Sequence, residues 1–174
     1  MAMTALTGCG GSSETTADTE VSADAMTVGF IYIGSKNDGG YTQAQNQGTE
    51  AVKEYFGDKI NILTAENVAE DKQAVKTNAV NMIDNGASVI VGTSFGYMDA
   101  MEELAAEYPE VTFLHFSGNK MNDTNFSNYF GAMEEPRYLS GIIAGMQTEA
   151  DKIGYVAAYP YTEVLMGNNA GALG

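Results

Sequence analysis

One cysteine, three prolines, one histidine and no tryptophan are found in 174 residues. A single cysteine excludes a disulfide framework within the chain. A single histidine excludes a multi-histidine metal centre, and the pattern suggests neither a metal nor a cofactor. Basic residues are equally scarce: 8 Lys and Arg stand against 23 Asp and Glu, a net charge of −15. Nucleic-acid surfaces need clustered cations to meet phosphates, so no nucleic-acid partner is expected. Acidity favours solubility but does not set a fold. No apolar run reaches the length of about eighteen residues that a membrane-crossing helix requires. Walker A, GxSxG, CxxC and HExxH patterns are all missing. The stretch Gly34–Gly40 is glycine-rich and follows a strand-like run, but lacks the GxGxxG spacing of a dinucleotide loop. His115 has Ser117 nearby but no matching acid, which argues against a triad and for a hydrogen-bonded histidine at a sheet edge. The chain is therefore expected not to be an enzyme.

What is present is a globular composition, 44% hydrophobic, preceded by an unusual N-terminus. Leu6-Thr7-Gly8-Cys9 places small residues before the cysteine and an apolar one upstream. It resembles a bacterial lipobox, in which the cysteine is lipidated and becomes the mature N-terminus. On that reading residues 1–8 are a signal-peptide remnant, without a basic region or a full apolar core. Residues 9–25 are Gly, Ser, Thr, Ala and acid, a composition unable to bury apolar surface, and read as a flexible tether.

From Met26 the pattern alternates. Residues 26–34, 61–65, 88–93, 111–116 and 125–131 are apolar and β-branched or aromatic, as expected of strands. Residues 42–56, 70–85 and 97–108 carry apolar or small residues at helical spacing, with Gly86 and Pro109 as stops. Strands alternating with helices imply right-handed βαβ units and a parallel sheet. The pattern then restarts with a helix from Pro136 to about Thr148, a strand over 152–159 and the opening of a helix over 163–174. The expected fold class is α/β: a parallel sheet flanked by helices, with residues 26–134 as a first lobe and 135–174 as the start of a truncated second.

In such sheets ligands sit beyond the carboxyl ends of the strands. Three loops fall there: 35–42, 94–99 and 117–122. In Asp38-Gly39-Gly40-Tyr41-Thr42 the glycines permit unusual backbone angles, so that an acid and an aromatic can both face a cleft. The same residues also suit a helix start, with Asp38 or Thr42 as cap and Tyr41 as hydrophobic staple. The residues alone leave both readings open.

Several ordered segments resemble the basic membrane protein (BMP) family of solute-binding lipoproteins, the group that includes purine nucleoside receptors. They are Asp38–Tyr41, Glu66-Asn67-Val68, Gly92–Asp99, Tyr108-Pro109, Tyr138–Gly145, Ile153–Ala158, Glu163-Val164 and Asn169-Ala170. The resemblance implies a type I periplasmic-binding-protein-like fold of two α/β lobes closing on a ligand. It implies an extracytoplasmic component of an ABC importer, held by a lipid anchor at the outer face of the cytoplasmic membrane and feeding a permease. The ligand would be nucleoside-like, with Asp38, Tyr41, Thr42, Ser94, Phe95 and Asp99 as ligand-binding residues and Cys9 as the lipidation site. Thr42 stands where the family often has Asn, and Gly171 where it usually has Phe. Ser94 and Phe95 can equally pack their own loop. The alternative function is a ligand sensor or regulator of the same fold without transport.

Overall fold

The computed structural model describes residues 24–150 and 152–174. Cys9, the expected leader remnant at 1–8 and most of the expected tether at 9–25 lie outside the described residues. Five parallel strands form one sheet: β1 (Met26–Ile31), β2 (Ile60–Ala65), β3 (Ala87–Gly92), β4 (Thr112–Phe116) and β5 (Phe126–Tyr129), in the order β2-β1-β3-β4-β5. The crossovers are α1 (Tyr41–Phe56), α2 (Lys72–Asp84) and α3 (Met98–Glu107).

Side-chain alternation gives the sheet two faces. On one, Ile31, Ile90 and Phe113 pack with Val75, Ala79 and Met82 of α2 and Met101, Leu104 and Ala105 of α3. On the other, Val28, Phe30, Tyr32 and Val91 form a second cluster. There the Tyr32 hydroxyl donates to Thr49 Oγ1 of α1 at 2.7 Å, satisfying a phenol that is fully buried. Burying one large apolar side chain is worth ~1.5–3 kcal/mol, so the fifteen-residue cluster under α2 and α3 dominates the stability of this unit.

Local chemistry sets the helix ends. The expected helix over 70–85 begins two residues late, because Asp71 caps it by accepting the Ala74 N–H at 3.0 Å. Gly86 follows it in the left-handed region, φ 89°, as a helix stop requires. A short 3-10 turn over Phe95–Tyr97 leads into α3. The fifth strand is shorter than expected; just before it the Asn125 side chain donates to the carbonyls of Ala105, Tyr108 and Val111, while its own backbone carbonyl accepts the Phe113 N–H at 2.7 Å.

Beyond β5, α4 (Glu134–Gln147) and α5 (Thr162–Leu173) pack against each other, with Gly141 against the Gly171 backbone too closely for a side chain. The strand expected over 152–159 does not form. Residues 152–160 are exposed throughout, and no strand among the described residues pairs with them. A strand without a ladder partner leaves its backbone bonds to water.

Candidate ligand-binding edge of the sheet

All five strands point their carboxyl ends at one edge, where the loops after β1, β2, β3 and β4 converge. The loops after β1 and β2 are stitched by backbone bonds, Asn67 N–H to Gly34 O at 3.2 Å and Val68 N–H to Tyr32 O at 2.9 Å.

Asp38 opens α1. Its Oδ1 accepts the N–H groups of Gly40 (2.8 Å) and Gln43 (3.0 Å), and its Oδ2 accepts that of Thr42 (2.9 Å). Asp38 thus caps the start of α1 from two residues ahead of the N-cap position, Gly40, whereas the Thr42 hydroxyl caps nothing and Tyr41 is itself the first helical residue. The N–H groups of Gln43, Gly40 and Thr42 hold the carboxyl down at about 2, so it is ionised at neutral pH. Thr42 lies buried, its hydroxyl without a partner among the described residues.

Tyr41 projects from the first turn of α1 over the end of β3. Its hydroxyl donates to Thr93 O at 2.5 Å. Burial pushes this phenol well above its ordinary range, with the Tyr129, Glu163 and Glu70 hydroxyl and carboxylates adding to the effect, so it remains a donor. Its ring meets Phe116 edge-on at 6.2 Å, and Phe116 in turn meets Tyr129 at 5.4 Å and Phe130 at 5.0 Å. The rim of this group is half-exposed: Tyr41 is 47%, Tyr129 43% and Phe130 42% accessible. That leaves flat apolar surface next to polar backbone, the usual make-up of a small-molecule site.

The loop after β3 carries a second aromatic beside polar groups. Ser94 Oγ donates to Glu70 Oε1 at 2.5 Å, and the same oxygen accepts Gly96 N–H at 2.9 Å. A side chain at position 96 would collide with Glu70, so glycine is required for this approach. Phe95 is half-buried and stacks on Tyr161, just before α5, at 3.9 Å between centroids and 17° between planes. Ser117 follows β4 with φ 74°, uncommon for a residue with a side chain, and its hydroxyl donates to Glu163.

Beneath them His115 is fully buried. Its Nε2 lies 2.8 Å from Ser94 O, and a carbonyl only accepts, so Nε2 carries the proton. Burial lowers the pKa of this histidine, and Nδ1 has no partner among the described residues. It is the sheet-edge histidine expected from the sequence, tying the loop after β3 to β4.

The structure therefore gathers Asp38, Tyr41 and Thr42 at one loop and Ser94 and Phe95 at another, joined through Thr93. Asp99 is engaged elsewhere, paired with Lys120 at 2.8 Å, and it makes no hydrogen bond or ion pair with the other five. Glu70, Phe116, Ser117, Tyr161 and Glu163 are not among the binding residues expected from the sequence, although the 117–122 loop was expected at this edge. The Ser117-Gly118 pair was a readable turn signal. Glu70 was hidden by its assignment to a helix. Tyr161 and Glu163 reach the edge only through long-range contacts.

The sequence model of the family described as Bmp, ABC transporter substrate-binding protein PnrA-like, matches residues 25–174. The chain belongs to this family. Among its relatives is a purine-binding protein of Brucella abortus (strain 2308), 37% identical over 151 residues, covering 87% of this chain and 43% of that protein. A second, from Haloferax volcanii, is provisionally named an ABC transporter glucose-binding protein; it is 36% identical over 172 residues, covering 94% of this chain and 42% of that one. The chain thus spans less than half the length of these two Bmp relatives. Among solved structures, an ABC transporter solute-binding protein of Aeropyrum pernix K1 superposes with a TM-score of 0.65 at 17% identity, over 84% of this chain and 41% of that one. That likeness supports the periplasmic-binding-protein-like α/β fold.

Proposed function

We propose that this Bmp-family chain belongs to the solute-binding component of an ABC importer and captures a nucleoside-like solute at the carboxyl edge of its sheet. The observation that carries the reading is the half-exposed Tyr41 ring beside Asp38, with the half-buried Phe95 next to Ser94 in the neighbouring loop. A purine is flat and apolar on its faces, with donors and acceptors around its rim. Aromatic platforms take the face, while carboxylates and hydroxyls take the rim. Asp38 is exposed, and its Oδ2 accepts only one bond, which leaves capacity for a ring N–H or ribose O–H. Both lysines of these loops are already ion-paired, Lys36 with Glu66 and Lys120 with Asp99 and Glu102. That favours an uncharged solute over a phosphorylated one.

Residues 26–134 then form the first lobe, and residues 135–174 open the second. The protein works outside the cytoplasmic membrane, anchored through lipidated Cys9, and hands its solute to a permease. It binds rather than catalyses on this reading, which the occupation of the one histidine's Nε2 by the Ser94 carbonyl supports. The Haloferax relative favours a second reading, a hexose, whose hydroxyls suit the same carboxylates. A thermal-shift panel on the complete protein separates them, since a solute that binds only the folded state raises the melting temperature. Inosine, guanosine or adenosine should raise it and glucose should not; the reverse pattern would transfer the assignment to sugars. Neighbouring genes for a permease and an ATPase would favour transport over sensing.

A further inference from the structure

The segment before α5 lacks a strand partner and is exposed from 152 to 160, yet Tyr161 is half-buried. It is covered because its ring lies flat on Phe95, with Tyr159 stacked on it in turn at 5.3 Å and 13°. Two residues later, Glu163 accepts the Ser117 hydroxyl hydrogen. One aromatic contact and one charge-assisted hydrogen bond thus tie this segment to the loops after β3 and β4.

Both contacts have the chemistry assigned above to a solute. A planar ring on Phe95 is what a base would supply, and an oxygen acceptor on Ser117 is what a solute carbonyl or hydroxyl would supply. We propose that Tyr161 and Glu163 are internal occupants of the binding edge: they hold the Phe95 face and the Ser117 hydroxyl in the solute-free protein, and the solute must displace them. This inference rests on the reading of Phe95 as a solute-stacking residue. Affinity then reflects the difference between two stacks rather than the whole of one. A solute with an aromatic face replaces what Tyr161 gives up, whereas a hexose replaces it incompletely. The internal contact therefore acts as a selectivity filter for flat solutes. It also slows association, because the contact must open first.

The stack can be read without any solute. The 174 residues contain no tryptophan, so in a Phe95→Trp variant of the complete protein the added indole is read as the difference in emission from the unsubstituted protein. Adding Tyr161→Ala to that variant should shift the indole emission to the red and increase its quenching by acrylamide. Inosine added to the single variant should change the emission as it displaces Tyr161. In the otherwise unaltered protein, Tyr161→Ala should bind inosine about two- to twelvefold more tightly, the equivalent of a stack worth ~0.5–1.5 kcal/mol. Glu163→Gln should act in the same direction, and Phe95→Ala should weaken binding. Melting curves establish that each variant folds. An indole emission unmoved by Tyr161→Ala overturns the proposal. So does a Tyr161→Ala variant that loses affinity as Phe95→Ala does, because Tyr161 would then be a wall of the site. Should inosine bind no variant, the solute assignment falls, while the solute-free emission still decides whether Tyr161 occupies Phe95.

Discussion

The hydroxyl of Tyr41 donates to the carbonyl oxygen of Thr93 at 2.5 Å, joining the start of α1 to the exit of β3. The bond fixes the ring against Phe116 and leaves about half of the residue open to solvent. Tyr41→Phe should keep the ring and lose the bond, costing ~0.5–1.5 kcal/mol of stability with little change in affinity. Tyr41→Ala should remove the platform and weaken all purine nucleosides alike, by ~1–3 kcal/mol. Urea melts and calorimetric titrations of both variants separate the two effects. An unchanged affinity in Tyr41→Ala would remove this residue from the site.

Asp38 has a structural duty whatever else it contacts. Asp38→Ala should lower the melting temperature, because three N–H groups at the start of α1 lose their acceptor. The pH dependence has a definite sign. The carboxyl titrates at about 2 in the fold against an ordinary 3.8, so the unfolded chain binds more protons between those values. The stabilisation from Asp38 is complete above the unfolded value and is lost as pH falls towards 2. The stability gap between wild type and Asp38→Ala, measured by urea unfolding at pH 6 and pH 2.5, should therefore narrow in acid.

This loop shows where sequence reasoning stops. The alternation of strands and helices, the parallel sheet and the loops at its carboxyl edge follow from hydrophobic periodicity, because burying Ile31, Ile90 and Phe113 against α2 and α3 leaves few other arrangements. The dual reading of Asp38 could not be resolved, since capping and ligand contact use the same oxygens. Asp99 looked equivalent to Ser94 and Phe95 in the sequence, but Lys120, which draws its carboxylate away, comes from another loop. The strand expected over 152–159 had the right composition, yet composition does not supply a neighbouring strand. Glu70 and Glu163 depend on contacts 26 and 46 residues away, which no local pattern encodes.

His115 gives a second acid-sensitive step, at higher pH. Burial lowers its pKa from an ordinary 6.5, so the fold holds it neutral while the unfolded chain takes up the proton. Stability should fall as pH drops below about 6.5 towards the lowered folded value. Comparing urea midpoints at pH 7.5 and pH 5.5 for the wild type and His115→Gln tests this. The variant should lose that part of the slope, and an identical slope would assign it to other groups.

Lipidation has its own test. Metabolic labelling of the precursor with palmitate should mark the wild type and leave Cys9→Ser unlabelled, as the Leu6-Thr7-Gly8-Cys9 sequence implies. Equal labelling of both would refute the anchor at Cys9.

What the sheet edge binds defines the protein's function. Calorimetric titration of inosine into the complete protein measures this most directly, with guanosine and adenosine as competitors and glucose as the control. Saturable one-to-one binding of inosine is expected, weakened in Phe95→Ala, displaced by the other nucleosides and indifferent to glucose. Saturable binding of glucose, with no heat from any nucleoside, would contradict it.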